Sequence, residues 1–266
     1  MDNKYYWAEK EERAKMAQAH TEQMKKCFGD AIKNSVAKSY IYGPGAVKNV
    51  PEPTDKSTEV ILAACGSVEG IVNSYKDGEK IAVLNFASYR NPGGMFINGS
   101  RAQEECLCHE SFLYNVLVRF PEYYEWNESH KNRALYTDRA IYSPEVLFIH
   151  DGHTYPTDVI TCAAPNLSWA IRYNNEDAKR DNHGILRNRI KFVLDIAAAQ
   201  GVDTLVLGAF GCGVFKQDAT EVANDFMDFL ETTHKGIFKK VVFAIPQDVH
   251  GGNYDKFKDV LEKRGK

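Results

Sequence analysis

Two adjacent glutamates, Glu104 and Glu105, follow a loop that contains the glycine pair Gly93-Gly94. Two nearby carboxylates disfavour double ionisation, so one of the two acids tends to have a raised pKa. A carboxylic acid that keeps its proton near neutral pH can protonate a leaving oxygen, and its carboxylate can later activate water. This division of labour is that of glycosidic bond cleavage. Acidic residues are also common in the first turn of a helix, so the pair is informative only because of the glycine loop before it.

A second glycine-rich stretch, residues 208–215 (GAFGCGVF), leads into a helix predicted to begin near Asp218. Backbone N–H groups in such a turn form a concave nest that favours phosphate, as does a helix N-terminus. A Cβ would hold the ligand away, which explains the glycines. Neither loop has the Gly-Lys-Ser/Thr of a P-loop or the Gly-x-Gly-x-x-Gly of dinucleotide-binding folds. One such loop alone could simply make a tight turn, but two loops favour a shared diphosphate cleft.

Strand-length apolar runs rich in Val and Ile alternate with helical patterns, which predicts an α/β sandwich with a largely parallel central sheet. Both glycine loops follow such runs, and ligands bind outside the carboxyl ends of strands in open α/β sheets. The six runs span residues 59–64, 80–88, 146–151, 158–165, 203–210 and 239–245.

The N-terminal part of the chain is predicted to extend this core. Residues 9–28 form a mostly polar helical pattern that we expect to lie against the core. Residues 29–57 are rich in breakers and predict an irregular connection. We therefore expect a helical extension over 1–57 and a core over 58–266 that form a single structural unit.

Two further patterns lie inside the predicted core. Cys108, Phe112, Val116 and Phe120 repeat every four residues and predict one helix. Residues 121–145 are polar and aromatic and suggest an elaborated connection, with the aromatic residues more suited to packing than to base stacking.

The bulk properties exclude some classes of protein. The net charge is −3 and the pI is about 6.3, which argues against general affinity for a nucleic-acid backbone. The start of the chain is too charged for a signal peptide, and no apolar run suits a membrane span. The six cysteines show no disulfide spacing, so we expect a reducing cytoplasm and, by default, a monomer.

Other chemistry-bearing residues have simpler explanations. Cys106 and Cys108 are two apart, so their side chains would not converge on a metal from a helix, and no metal is expected. Cys212 lies in the phosphate loop but is not expected to act as a thiol nucleophile. The expected surface or substrate-rim residues without a catalytic role are His150, Asp151 and His153.

The two motifs NPGGMFINGSRAQEE and GAFGCGVFKQD together resemble those of the bacterial-type poly(ADP-ribose) glycohydrolases, a branch of the macrodomain fold. The stretches AVLNFAS and ITCAAPN and the helix ERAKMAQAHTEQM are also similar, so the resemblance covers about residues 10–260. It implies a three-layer α/β/α macrodomain with a mixed, largely parallel sheet, and an enzyme that needs no cofactor. The implied substrate is ADP-ribose or poly(ADP-ribose) on modified proteins, trimmed from chain ends because the extension closes over the adenosine.

The resemblance also implies roles for individual residues. Glu105 would be the catalytic acid and base, and Glu104 would hold the distal ribose. The implied substrate-binding residues of the first motif are Asn91, Gly93, Gly94 and Gln103. Those of the second motif are Gly211, Cys212, Gly213 and Val214, which would wrap the diphosphate through their backbone, and Phe215, which would orient the distal ribose. In macrodomains the segment after the last strand often touches adenine, which suggests Gln247, Asp248 or Asn253.

This sequence departs from the family's pattern at Met95, which stands where a third glycine is usual. A methionine there either points away from the ligand or crowds the catalytic loop and alters which linkage is cut. Two alternatives therefore stay open beside poly(ADP-ribose) cleavage. One is a mono-ADP-ribosyl-protein hydrolase of another linkage, and the other is a non-catalytic ADP-ribose-binding macrodomain.

Overall fold

Seven strands form one mixed sheet in the computed structural model, which describes residues 3–247 and 252–265, with side chains described from Glu9 onward. The strands are β1 (Tyr40–Tyr42), β2 (Glu59–Ala63), β3 (Ile81–Phe86), β4 (Ala140–His150), β5 (His153–Cys162), β6 (Thr204–Leu207) and β7 (Lys240–Ala244). Their order across the sheet is β1-β4-β5-β3-β6-β7-β2. Strand β4 is antiparallel to both of its neighbours, β1 and β5, and the other paired strands are parallel. The prediction of a mixed, largely parallel sheet is confirmed.

The helices cover both faces of this sheet. They are α1 (Asn3–Lys38), α2 (Ser67–Ser74), α3 (Gln103–His109), α4 (Leu113–Leu117), α5 (Pro121–Ser129), α6 (Leu167–Arg172), α7 (Glu176–Ala199), α8 (Ala219–Glu231) and α9 (Asn253–Lys263). One buried cluster packs α7, α8 and α9 on one face of the sheet. A second cluster packs α1 to α5 on the other face. Among the described residues, no helix is long and apolar enough to cross a membrane.

All six apolar runs contain strand residues, but the edge of the sheet differs from the prediction. Residues 146–150 are the second half of β4, which begins at Ala140 inside the predicted connection, and Asp151 lies in the turn after it. The short strand β1 lies in the stretch predicted to be irregular, and Tyr40 pairs with Tyr142 of β4. A three-residue edge strand has too little periodicity to be recognised before its partner is known.

Helix α1 is longer than the predicted helix over residues 9–28. It continues to Lys38 after a break at Phe28, where φ is −126° and ψ is 25°. The continuation is held by tertiary contacts, because Ser35 Oγ donates to Pro144 O at 2.6 Å. Toward the start of α1, Arg13 Nε donates to Gly99 O at 2.8 Å. A Cβ on Gly99 would overlap the carbonyl oxygen of Lys10, so α1 lies directly on this turn.

The single helix predicted from Cys108 to Phe120 is wrong. The structure has α3 and α4 there, separated at Ser111, which forms a β-bridge with Phe148. Glu110 O also accepts from Ile149 N at 2.7 Å. These hydrogen bonds to β4 replace helical ones, so the apolar spacing survives while the helix breaks.

The sheet register places the two glycine loops side by side. Strands β3 and β6 are parallel neighbours, with Ile81 opposite Thr204 and Val83 opposite Val206. Because parallel strands end at the same edge of the sheet, the loops that follow them meet there.

Candidate active site

Gly93 and Gly94 form the turn of the first loop, which we call the catalytic loop (residues 91–95). Their φ angles are +65° and +63°, a region that disfavours any residue with a Cβ. A Cβ on Gly94 would lie 2.5 Å from Glu105 Oε1 and 3.1 Å from Glu104 Oε2. The loop backbone therefore lies directly on both carboxylates, which requires glycine at position 94.

Glu105 is positioned by the first turn of α3 and by the loop. Its side chain is buried, with 6% of the residue exposed. The backbone N–H of Met95 donates to Glu105 Oε1 at 2.9 Å. This contact fixes one oxygen of the carboxylate against the catalytic loop.

Glu104 lies deeper and has protein partners on both oxygens. Asn85 Nδ2 donates to Oε1 at 3.1 Å, and the backbone N–H of Ser88 donates to Oε2 at 2.7 Å. Burial raises the pKa of Glu104 to about 8, against these hydrogen bonds and with a smaller contribution from the charge of Glu105. The glutamate with the raised pKa is thus Glu104, whereas the catalytic role implied by the resemblance falls on Glu105.

Gln103 uses its amide to attach α3 to the sheet. Its Oε1 accepts from Phe86 N at 2.9 Å, and its Nε2 donates to Ser67 Oγ at 3.0 Å and to Leu84 O at 2.9 Å. The polar atoms of Gln103, a predicted substrate-binding residue, therefore form hydrogen bonds with the protein itself. Gln103 still lines the neighbouring cavity.

Met95 does not need to be glycine, because its φ is −112°. Its side chain is 41% exposed, and its Sδ lies 3.8 Å from Asn91 Nδ2 and 3.9 Å from Asn98 Nδ2. Asn91 and Met95 thus touch each other at the loop surface, and the methionine does not displace the Glu105 carboxylate.

The second loop, which we call the diphosphate loop (residues 208–215), is bent at Gly211, where φ is +77°. A Cβ there would lie 2.8 Å from Ala164 Cβ, whereas a Cβ on Gly213 would meet nothing within 4 Å. The backbone amides of Gly211, Gly213 and Val214 donate to no acceptor in residues 3–247 or 252–265. These N–H groups are the kind of nest that binds phosphate.

The N-terminus of α8 contributes less to this nest than the sequence predicts. Asp218 caps the helix, with Oδ1 accepting from Thr220 N at 2.8 Å and from Glu221 N at 3.2 Å. Its Oδ2 pairs with Lys256 Nζ at 2.7 Å. The amides of Thr220 and Glu221 in the first turn of α8 are therefore occupied by the protein itself.

A pair of buried amides that the sequence analysis missed supports the diphosphate loop. Asn182 Nδ2 donates to Gln217 Oε1 at 2.8 Å, and Gln217 Nε2 donates back to Asn182 Oδ1 at 2.8 Å. Gln217 Nε2 also donates to Pro165 O at 2.7 Å, and its backbone N–H donates to Gly211 O at 3.1 Å. Asn182 lies 35 residues away from Gln217 on α7, so only the fold reveals the pair.

An aromatic row, which the sequence analysis also missed, joins the two loops. The rings of Tyr89 and Tyr136 stack at 4.1 Å between centroids, and Tyr136 lies 6.4 Å from Phe215. Tyr136 is buried and has a φ of +60°, an unusual conformation for a residue with a Cβ. The row brings Phe215 of the second loop into contact with the segment that leads into the first.

Two adjoining cavities follow the loops. One has about 200 Å³ and is lined by Phe86, Gln103, Gly211, Gly213, Val214 and Phe215 among others. The other has about 440 Å³, shares Phe86, Gln103 and Gly213, and extends to Pro246 and Asn253. Neither is lined by Glu104 or Glu105, which lie beneath the catalytic loop. Of the predicted adenine contacts, Asn253 lines the second cavity, Gln247 lines neither, and Asp248 lies outside the described residues.

The remaining candidates lie away from this chemistry. Burial raises the pKa of the Cys212 thiol to about 12, which keeps it protonated. His150, Asp151 and His153 form the β4–β5 turn, which precedes β5 and so lies at the opposite edge of the sheet. No group of three or more His, Cys, Asp or Glu side chains in the described part of the chain could hold a metal ion.

Comparison with known proteins identifies the family to which a chain with these features belongs. Residues 8–151 match the family model of the microbial-type PARG catalytic domain. No curated protein matches the sequence significantly. The structure is similar to that of poly(ADP-ribose) glycohydrolase (PARG) from Thermomonospora curvata, with a TM-score of 0.83, 27% identity, and coverage of 94% of this chain and 99% of that one.

A second similar structure is that of PARG from Deinococcus radiodurans in complex with ADP-ribose. The TM-score is 0.81 at 30% identity, with coverage of 88% of this chain and 98% of that one. The T. curvata enzyme bound to the inhibitor ADP-HPD is also similar, with a TM-score of 0.80 and 27% identity. The family match, the fold and the two paired loops agree, and the chain belongs to the microbial-type poly(ADP-ribose) glycohydrolases.

Proposed function

We propose that this chain hydrolyses the ribose–ribose O-glycosidic bond of poly(ADP-ribose) and releases ADP-ribose from chain ends. The observation that carries the proposal is the contact between the catalytic loop and Glu105, with Met95 N–H on Oε1 at 2.9 Å. It holds one carboxylate directly against the glycine turn of the catalytic loop.

Glu105 is the proposed acid and base. Its carboxylic acid protonates the ribose oxygen that departs, and the C–O bond at the anomeric carbon breaks through an oxocarbenium-like state. The resulting carboxylate then accepts a proton from the water that attacks the same carbon. The products are free ADP-ribose and a chain shortened by one unit.

Glu104 and the two loops hold the substrate for this step. Hydrogen bonds from Asn85 and Ser88 fix Glu104 beneath Gly94, where it supports the loop and borders the distal ribose. The free amides of Gly211, Gly213 and Val214 bind the diphosphate, and Phe215 orients the ribose. Asn91 is the first residue of the catalytic loop, and its side chain contacts Met95.

The region 1–57 is proposed to act as an extension packed on the core, with α1 on the Gly99 turn. Arg101 and Ala102 follow that turn and line the larger cavity, which we propose holds the adenosine. An extension beside this cavity fits attack at chain ends. We also propose a cytoplasmic location, since all six cysteines are free thiols, and a monomer by default.

The test compares wild type with Glu105→Gln on purified poly(ADP-ribose), with released ADP-ribose measured by mass spectrometry. We expect wild type to release ADP-ribose and the variant to lose activity by at least ~100-fold, the lower end for a general acid–base group. The variant should still bind ADP-ribose in a calorimetric titration. Undiminished hydrolysis by Glu105→Gln would exclude the mechanism.

One observation favours a second candidate function. Met95 is exposed and lies on the catalytic loop, where it could exclude a bulky leaving group. Proteins modified with single ADP-ribose units on serine, arginine or glutamate therefore belong in the same assay. Release from one of these substrates but not from the polymer would favour a mono-ADP-ribosyl hydrolase, and binding without any release would favour a reader.

A further inference from the structure

An exposed patch on α6 lies outside the cavities described above. It consists of Ile171, Arg172 and Tyr173, which we call the α6 patch. Ile171 is 54% exposed and Tyr173 is 62% exposed, although both are large apolar side chains. The Tyr173 ring lies 5.0 Å from that of Trp169, so the aromatic surface is wider than one ring.

The α6 patch begins beside the diphosphate loop. Ser168, in the first turn of α6, donates its backbone N–H to Phe215 O at 3.0 Å. Asn166 caps the helix by accepting from Trp169 N at 3.3 Å, which fixes the orientation of α6. Five residues of helix span about 8 Å. Tyr173 therefore lies within roughly the length of one nucleotide from Phe215, the residue proposed to orient the distal ribose.

Charge at the patch suits an anion. Arg172 is exposed and forms no ion pair with any described residue. The acids that follow it on α7 are already neutralised, since Glu176 pairs with Lys179 at 2.9 Å and Asp177 pairs with Arg180 at 2.8 Å. An exposed tyrosine beside an unpaired arginine is the combination that stacks a base and contacts a phosphate.

We propose that the α6 patch binds the ADP-ribose unit on the leaving side of the scissile bond, with its adenine on Tyr173 and its phosphate on Arg172. This inference rests on the proposed function, because it assigns the next unit of the same polymer. It gives the enzyme a reason to hold an oligomer more tightly than free ADP-ribose.

Binding without turnover separates this inference from the proposed reaction. In a Glu105→Gln background, affinities for ADP-ribose and for an ADP-ribose dimer and tetramer of defined length would be measured by calorimetry. We expect the oligomers to bind more tightly than ADP-ribose. Tyr173→Ala should reduce the ratio of oligomer to ADP-ribose affinity on the order of tenfold, the size of one lost base–aromatic stack. Arg172→Ala should reduce the same ratio and its dependence on salt.

Tyr40→Ala is the matched control. Tyr40 is 55% exposed and its ring lies 4.8 Å from that of Tyr42, but it sits on the edge strand β1, which β4 separates from β5, the strand before α6. Oligomers that bind no more tightly than ADP-ribose would overturn the inference, as would an unchanged ratio in Tyr173→Ala. An equal loss for ADP-ribose and oligomers would also overturn it, because the change would then act through the diphosphate loop. Failure of wild type to cleave the polymer would exclude the reaction but not this binding result.

Discussion

Gly94 and Glu105 are in such close contact that the carboxylate occupies the place of a side chain. A Cβ on Gly94 would lie 2.5 Å from Oε1 and 3.2 Å from the carboxyl carbon of Glu105. The backbone conformation of Gly94, with φ at +63°, adds a second reason against any other residue. The position of the catalytic loop and that of the Glu105 carboxylate therefore depend on each other, and a change in either moves the other.

Gly94→Ala should strongly reduce activity. The substitution forces Glu105 aside and strains the backbone, which costs on the order of 1–3 kcal/mol for a residue held at positive φ. We expect hydrolysis to fall by at least ~100-fold with a small loss in melting temperature, measured by a rate assay and thermal unfolding. Met95→Ala is the control, since its φ of −112° accommodates a Cβ, and it should keep most of the activity. Equal losses in both variants would contradict the close contact.

Glu104→Gln should change how stability depends on pH. The pKa of Glu104 is raised from 4.5 to about 8 in the folded protein. Between these values the folded state keeps a proton that the unfolded chain has released, so this group's contribution to stability falls as pH rises and is constant above about 8. Glutamine cannot release that proton, so the free energy of unfolding of the variant should gain on wild type as pH rises from about 5 to about 8.

Urea unfolding at several pH values within that range measures this difference. The size of the gain should be on the order of a few kcal/mol, since one pKa unit corresponds to about 1.4 kcal/mol. Glu125→Gln provides the control, because it removes an exposed carboxylate instead of a buried one. A constant difference between Glu104→Gln and wild type would rule out the raised pKa.

Gln217→Leu should weaken the diphosphate loop. The change leaves Asn182 buried without its partner and removes the hydrogen bond to Pro165 O. An orphaned buried polar group costs about 1–3 kcal/mol. We expect lower stability and an ADP-ribose affinity reduced on the order of tenfold, with the rate at saturating substrate less affected. Asn188→Ala is the control. Asn188 is an exposed amide on α7, the helix that carries Asn182, and its substitution should change neither stability nor affinity.

Cys212→Ala should retain activity within about twofold, because the loop is proposed to act through its backbone amides. Since burial raises the pKa of the thiol to about 12, wild type should also resist iodoacetamide at neutral pH. Rate assays before and after treatment measure both effects, and the exposed Cys27 reports that the reagent was active. Loss of turnover in Cys212→Ala with normal ADP-ribose binding would point to thiol chemistry instead.

Sequence patterns predicted the features that depend on residues close together in the chain. The runs that became β3 and β6 end at glycine loops, and parallel strands must present such loops at one edge. Glu104 and Glu105 were identified because they are adjacent in the chain. Asn182 and Tyr136 were not, because each contributes through partners far away in sequence. The break between α3 and α4 at Ser111 was not predicted for the same reason, since its partner Phe148 lies in β4, far along the chain.

Helix α1 has a consequence for the order of folding. Its hydrogen bonds reach Gly99, Ser111 and Pro144, across 86, 91 and 109 residues of chain. Contacts of such long range are reached slowly, because the intervening loop must close first. The helix is mostly polar, and its buried side chains, Ala17, Met24 and Ile32, find their surroundings only on the finished sheet. The segment that comes first in the chain is therefore expected to dock last, and it then covers the Gly99 turn that follows the catalytic loop.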